Sequence, residues 1–195
     1  MSTTSRAAGG TLASLGLVCA AAALAGCRSA AARSPDPVPT HSATSSALVA
    51  KCEQDGVTVS VTGEEAGLGN RAVVLIFTNR NDRACSMRGY PGVVALDIHG
   101  KQMAKAAETI AGYMGGVMNG SEPPDVVLPP GGSASAMVEA LGFDQSDGSA
   151  CTRYYTLVVS VPGYNGTLPS EVPWGNDGCS ELQVHPVVPG VDGRA

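Results

Sequence analysis

The sequence predicts an all-β sandwich of about seven or more strands, set behind an export signal and a disordered tether. Three observations carry this. Apolar residues recur at every second position in several short runs, the spacing that puts alternate side chains on one face of a strand. The 195 residues include 25 Gly and 13 Pro but only 15% charged residues, which favours short elements joined by turns over a helical bundle. Four cysteines fall in the segment expected outside the cell, enough for two bridges in an exported domain. Short alternating runs separated by turn signals match an immunoglobulin-like β-sandwich. With 12 basic and 17 acidic residues the net charge is −5, so no electrostatic footprint for nucleic acid or an anionic membrane face is present.

Residues 1–26 are expected to be a lipoprotein signal peptide. Arg6 is the only charge in the polar start, and Thr11 to Leu24 is a 14-residue Ala/Leu-rich run, too short for a comfortable membrane span. It ends in Leu24-Ala25-Gly26-Cys27. A basic start, a short apolar run and a small-residue cleavage site define an export signal. The cysteine after the small pair resembles the bacterial lipobox, which implies a diacylglyceryl group on Cys27 and cleavage before it. Two acyl chains hold a protein stably at a bilayer where one does not. Cleavage takes Arg6 from the basic residues, leaving 11 against 17 acidic and a net charge of −6.

Residues 27–47 are expected to be a lipidated, flexible tether. Arg28 to Ser46 is rich in Ala, Ser, Pro and Thr without periodic apolar residues, so it buries too little surface to offset its ordering entropy. Pro35, Pro37 and Pro39 favour an extended spacer.

Residues 48–195 form the predicted domain, with a core from about 50 to 188. Val57 to Thr62 alternates cleanly, and Val73 to Thr78 is almost continuously apolar, as a central strand would be. Val93 to Ile98 follows the turn at Gly89-Tyr90-Pro91-Gly92. Pro129-Pro130-Gly131-Gly132 precedes Ser133 to Ala140, where Ala134, Ala136, Val138 and Ala140 share a face. Tyr155 to Val161 and Glu181 to Val187 are further strands. Lys101–Ala104, Val126–Leu128 and Thr167–Leu168 are short candidates. The one helical hint is Ala104 to Thr109.

Cys52, Cys85, Cys151 and Cys179 allow three connectivities. The pairing Cys52–Cys85 and Cys151–Cys179 is expected, each tying neighbouring strands in its own half of the chain. No Cys-x-x-Cys or Cys/His pair at ligand spacing is present, so no metal is expected.

The order Cys52, Val73-Val74-Leu75-Ile76-Phe77-Thr78-Asn79, Cys85-Ser86-Met87-Arg88-Gly89-Tyr90-Pro91-Gly92, Leu128-Pro129-Pro130-Gly131-Gly132-Ser133-Ala134, Cys151 and Cys179 resembles an actinobacterial exported lipoprotein family catalogued as a domain of unknown function (number four-two-three-two). The resemblance covers about Ala50 to Pro186. It implies a sandwich domain, a cell-envelope location and both bridges, and carries no catalytic residue.

No nucleophile elbow, zinc-protease helix, phosphate loop or dinucleotide fingerprint is found. His99 reads as an exposed turn residue and His185, beside Pro186, as equally ordinary; a Ser/His/Asp site would need one of them buried beside an acid. No catalytic residue and no cofactor is therefore expected. His99 to Asp125 is unusual: 27 residues separate two strand candidates, beyond the roughly 12–15 that structureless loops reach. It carries Met103, Tyr113, Met114 and Met118, while Val74, Ile76, Val93, Ala95 and Val158 are expected to face outward. One reading packs this loop over that apolar face, with methionines filling gaps. Another makes it a binding loop for an envelope protein, lipid or glycan. A third offers Met103, Met114 and Met118 as copper ligands.

The expected function is a non-enzymatic binding or interaction module, lipid-anchored at the outer face of the cytoplasmic membrane. The alternative is an envelope accessory enzyme or copper-handling protein. Cys27→Ala should abolish metabolic labelling of the chain with an alkynyl fatty acid and leave the precursor uncut in gel mobility; label retained in that variant would remove the lipobox assignment.

Overall fold

The computed structural model describes residues 49–114, 122–164, 170–175 and 177–195. Cys27, the signal and the tether lie outside them. The strands run β1 (Val57–Gly67), β2 (Asn70–Asn79), β3 (Cys85–Met87), β4 (Gly92–Leu96), β5 (Gln102–Lys105), β6 (Ala107–Glu108), β7 (Val126–Leu128), β8 (Ser133–Leu141), β9 (Thr156–Ser160), β10 (Ser170–Pro173), β11 (Ser180–Val184) and β12 (Val188–Pro189). One 3₁₀ turn, Gln54–Gly56, precedes them, and no α-helix occurs among the described residues.

Two main sheets enclose the core. The larger has the order β1-β2-β8-β11-β6, with β12 also pairing β8; the smaller has the order β10-β9-β4-β5; β3 and β7 form a separate pair. Pairing is antiparallel except for β6 on β11. Val73, Leu75 and Phe77 of β2 and Ala134, Ala136, Val138 and Ala140 of β8 face Val93, Ala95, Leu157, Val159 and Val172 from the smaller sheet in one core. The small residues of β8 leave room for bulk elsewhere: Trp174 stands edge-on to Tyr154 at 6.0 Å. This is the expected all-β sandwich.

Both expected disulfides form, Cys52–Cys85 and Cys151–Cys179, closing separations of 33 and 28 residues. Loops of that size are stabilised by about 3–4 kcal/mol each in the chain-entropy account. The first bridge joins the entering chain to β3, where Cys52 N–H and Ser86 N–H donate to Ser86 and Ala50 carbonyls.

Several expectations need correction. Ala104 to Thr109 is not helical: Ala104 pairs with Ala95, and Ala107 and Glu108 lie parallel to Gln183 and Val184. Six residues gain too few hydrogen bonds to offset helix nucleation, so sheet pairing prevails. Val93 and Ala95 point inward, 2% and 0% exposed, because β4 presents its odd positions to the core. The 99–125 stretch is no bare loop, since β5 and β6 lie within it. The strand expected at 181–187 ends at Val184; Pro186 has no N–H, and Val187 N–H turns to the Gly89 carbonyl. Thr167–Leu168 falls outside the described residues.

Two irregularities in the first hairpin matter. Between Thr62 and Glu64 the register with β2 slips around Gly63, at φ 62°. This bulge reverses the alternation: Thr62 pairs with Val74 before it, and Glu65 pairs with Ala72 after it, both on the side of the sheet away from the core. At the hairpin tip Leu68 and Gly69 both have positive φ, 51° and 87°, as a type I′ turn requires. Leu68 is fully exposed there, so a leucine occupies a backbone conformation better suited to Asn or Gly. Leu68→Asn should raise stability by about 0.5–1 kcal/mol, read as a rise of roughly 2–4 °C in Tm by calorimetry.

Candidate functional site

The face of the larger sheet turned away from the core is where chemistry collects. Even positions of β2 and odd positions of β8 reach it: Ala72, Val74 and Ile76 beside Ser135, Met137 and Glu139. Ala72, Val74 and Met137 form a second, smaller apolar cluster there. Beyond β11, His185 continues the outward alternation of Gln183, and its N–H donates to the Met137 carbonyl at 2.9 Å.

Glu139 and His185 are both 0% exposed. The expectation of an ordinary terminal histidine therefore fails: its parity places it on the outer face, and a segment folded over that face removes it from water. His185 Nε2 lies 3.1 Å from Glu139 Oε1, within ion-pair reach but off the line of a hydrogen bond, and Nδ1 has no partner. Besides the two ring nitrogens of His185, Trp174 Nε1 is the buried side-chain polar atom without a hydrogen bond among the described residues. The other buried side-chain polar atoms among the described residues have partners, as at Asn79, whose side-chain amide donates to the carbonyls of Arg83 and Leu128 at 2.8 and 3.0 Å. Partners are the rule for buried polar atoms.

The covering segment is 109–114. Thr109 N–H anchors it to the Val184 carbonyl. Its far end is held by Glu139, whose Oε2 accepts from Tyr113 N–H at 2.5 Å and Oε1 from Met114 N–H at 2.9 Å. Burial pushes the Glu139 carboxyl up, but the His185 ring and the two amides outweigh it and hold the group below the usual range. Gly112 lies directly on the pair: a Cβ there would meet Glu139 Oε2 and sit 2.6 Å from His185 Nε2. No larger residue fits that position without displacing the carboxylate.

A second strap runs beside the first. The chain end crosses the same face, with Gly193 N–H on Ser135 Oγ at 2.9 Å. Arg194 grips Glu65 through both carboxylate oxygens at 2.9 and 2.5 Å and reaches the Met114 carbonyl at 3.3 Å. That pairing holds the Glu65 carboxyl below its usual range, against a smaller upward push from burial. The Gly63 bulge is what brings Glu65 to this side. Between hairpin and chain end an open groove of about 600 Å³ remains, lined by Thr62, Val74, Ile76, Val191 and the Glu65–Arg194 pair.

Of the four residues expected in a binding loop, Met114 packs on the Ala72/Val74/Met137 cluster. Tyr113 is partly exposed and its hydroxyl accepts from Gln183 Nε2 at 3.1 Å. Met103 is partly exposed on β5, in the other sheet, and Met118 lies outside the described residues. Of the three that are described, Met114 alone lies on the apolar cluster. Sequence reasoning gives no role to Glu139, Gly112 or Arg194, and it reads Glu64-Glu65 as a solvated loop pair, whereas both lie in β1 and Glu65 is held by Arg194. Nothing in the alternation of β8 singles out Glu139; the apolar Met137 two positions earlier is the one signal that this face is covered.

The family model described as a domain of unknown function (DUF4232) matches residues 52–188. The chain belongs to this family. The matched span takes in both disulfides, the 109–114 strap, Glu139 and His185, and stops before Arg194. No curated protein matches the chain. Among the described residues no helix is long and apolar enough to cross a membrane.

Gly112→Ala should destabilise the domain by about 1–3 kcal/mol, measured as a lower urea midpoint. Gly67→Ala, where an added Cβ meets nothing within 4 Å, should leave the midpoint near that of the parent.

Proposed function

We propose that the chain is a cell-envelope lipoprotein whose described domain is a non-enzymatic binding module, tethered through Cys27 to the outer face of the cytoplasmic membrane. The lipobox and the Pro-rich spacer support the anchoring. The groove beside the C-terminal strap carries the binding reading. Its volume falls in the range of small-ligand sites, and Val74, Ile76 and Val191 give it an apolar lining. Among the envelope protein, lipid and glycan partners that the sequence admits, this lining favours an apolar one: an acyl chain or the apolar side chains of a protein.

The histidine–carboxylate pair supports binding over catalysis. An acid–base pair works on a substrate atom within hydrogen-bond reach, and Gly112 and the straps occupy the approach to this one.

The test is a photocrosslinker on living cells. With p-benzoylphenylalanine in place of exposed Val191, the full chain should give lipid or protein adducts, reduced at least fivefold by Ile76→Glu. The same group in place of Val127, exposed on β7, should give few. Equal yields at 191 and 127 would remove the groove from consideration.

A further inference from the structure

The two straps over the outer face are fastened by carboxylates. We propose that residues 109–114 and the C-terminal segment 190–194 form an acid-released latch over the apolar outer face of the larger sheet, locked by Glu139 and Glu65. This deepens the groove reading and rests on it for its consequence, since the latch borders the groove that the ligand would enter.

Each strap has one neutral fastening and one that depends on charge. The first keeps its root through Thr109 N–H on the Val184 carbonyl, while its outer end, Tyr113 and Met114, hangs on Glu139. The second keeps Gly193 on Ser135, while Arg194 hangs on Glu65. Arg194 also reaches Met114 O, so the two ends are joined. Protonating Glu139 weakens its acceptance of two amide protons, because a neutral acid is a poorer acceptor than a carboxylate. The strap's outer end then hangs on two weakened bonds, while its root at Thr109 is untouched.

The charged and titratable neighbours are few. Beyond β11 stands His185; on the strap, Tyr113; on β1, Glu65; on the chain end, Arg194 with Asp192 near it; on β11, Glu181 acts on Tyr113. Arg71 of β2 is committed elsewhere, to Asp177. Glu139 pushes the Glu65 carboxyl up as a like charge, and Arg194 outweighs that push. Both locking carboxyls are held below their ordinary range in the folded chain. Their contribution is therefore complete above the unfolded carboxyl value of about 4.3 and is lost as pH falls through the lower folded values.

Hydrogen exchange on the full acylated chain in nanodiscs reads the latch directly. From pH 7 to pH 3.5 the protection factors of the Tyr113 and Met114 amides should fall by roughly threefold to sevenfold, while those of Val73, Leu75 and Val138 hold within twofold. Glu139→Gln should show the low strap protection already at pH 7 and a flat profile below it. Should that variant not fold, Glu65→Gln, at a half-buried site, should loosen the Gly193 and Arg194 amides at pH 7 by threefold or more. Strap protection constant from pH 7 to 3.5, or lost only together with the β2 and β8 amides, overturns the latch. Exchange needs no ligand, so crosslinking that finds the groove empty leaves this outcome readable. A latch that stays shut in acid likewise leaves the neutral-pH adduct yield at position 191 intact.

Discussion

A carboxylate stripped of water must be given other partners, and Glu139 imposes that requirement at the middle of the larger sheet. Isolated burial of an ionised group costs far more than a domain's net stability, so everything nearby answers to it. Two backbone amides of the 109–114 segment point at its oxygens. His185 stands beside it, and Gly112 supplies the only side chain small enough to let the backbone come so close. The arrangement converts a polar liability into a clasp. Removing Glu139 alone would leave His185 buried without its acidic neighbour and the Tyr113 and Met114 amides without their acceptor.

The same economy shows at the hairpin. A single extra residue, Gly63, turns β1 so that Glu65 faces the straps instead of the core side, and Arg194 then ties the chain end to both. The disulfides act differently. They restrict the unfolded chain at the points where it enters β3 and where it leaves for β11, and they are independent of the polar clasp. The domain thus rests on three separate supports: an apolar core between sheets, two covalent bridges, and a charged fastening on the outer face, of which the last alone responds to proton concentration.

Much of the fold was legible because strand periodicity is local. Val57 to Thr62, Val73 to Thr78 and Ser133 to Ala140 each declare their faces by alternation, and each became a strand with its apolar side inward. Alternation does not say which face is inner when both are apolar. Val93-Val94-Ala95 offered no polar partner to break the tie, and Val93 and Ala95 were assigned outward when the sheet needed them inside. The short β5 and β6 had no periodicity to show, since a strand of two to four residues is defined by its neighbour and not by itself.

The site was less legible for the same reason carried further. Gly112, Glu139 and His185 are separated by tens of residues, and nothing in any one segment marks them as a unit. Nothing in the alternation of β8 singles out Glu139, and His185 looks incidental beside a proline. By itself the sequence determined the all-β class, the four bridging cysteines, the apolar run and lipobox-like start, and the family resemblance, because each rests on composition or on spacing within one stretch. Only the tertiary structure decided which face is covered, what covers it, and that a histidine and a carboxylate share a dry position there. Burial and pairing of charge are properties of chain segments brought together by folding, and no local pattern encodes them.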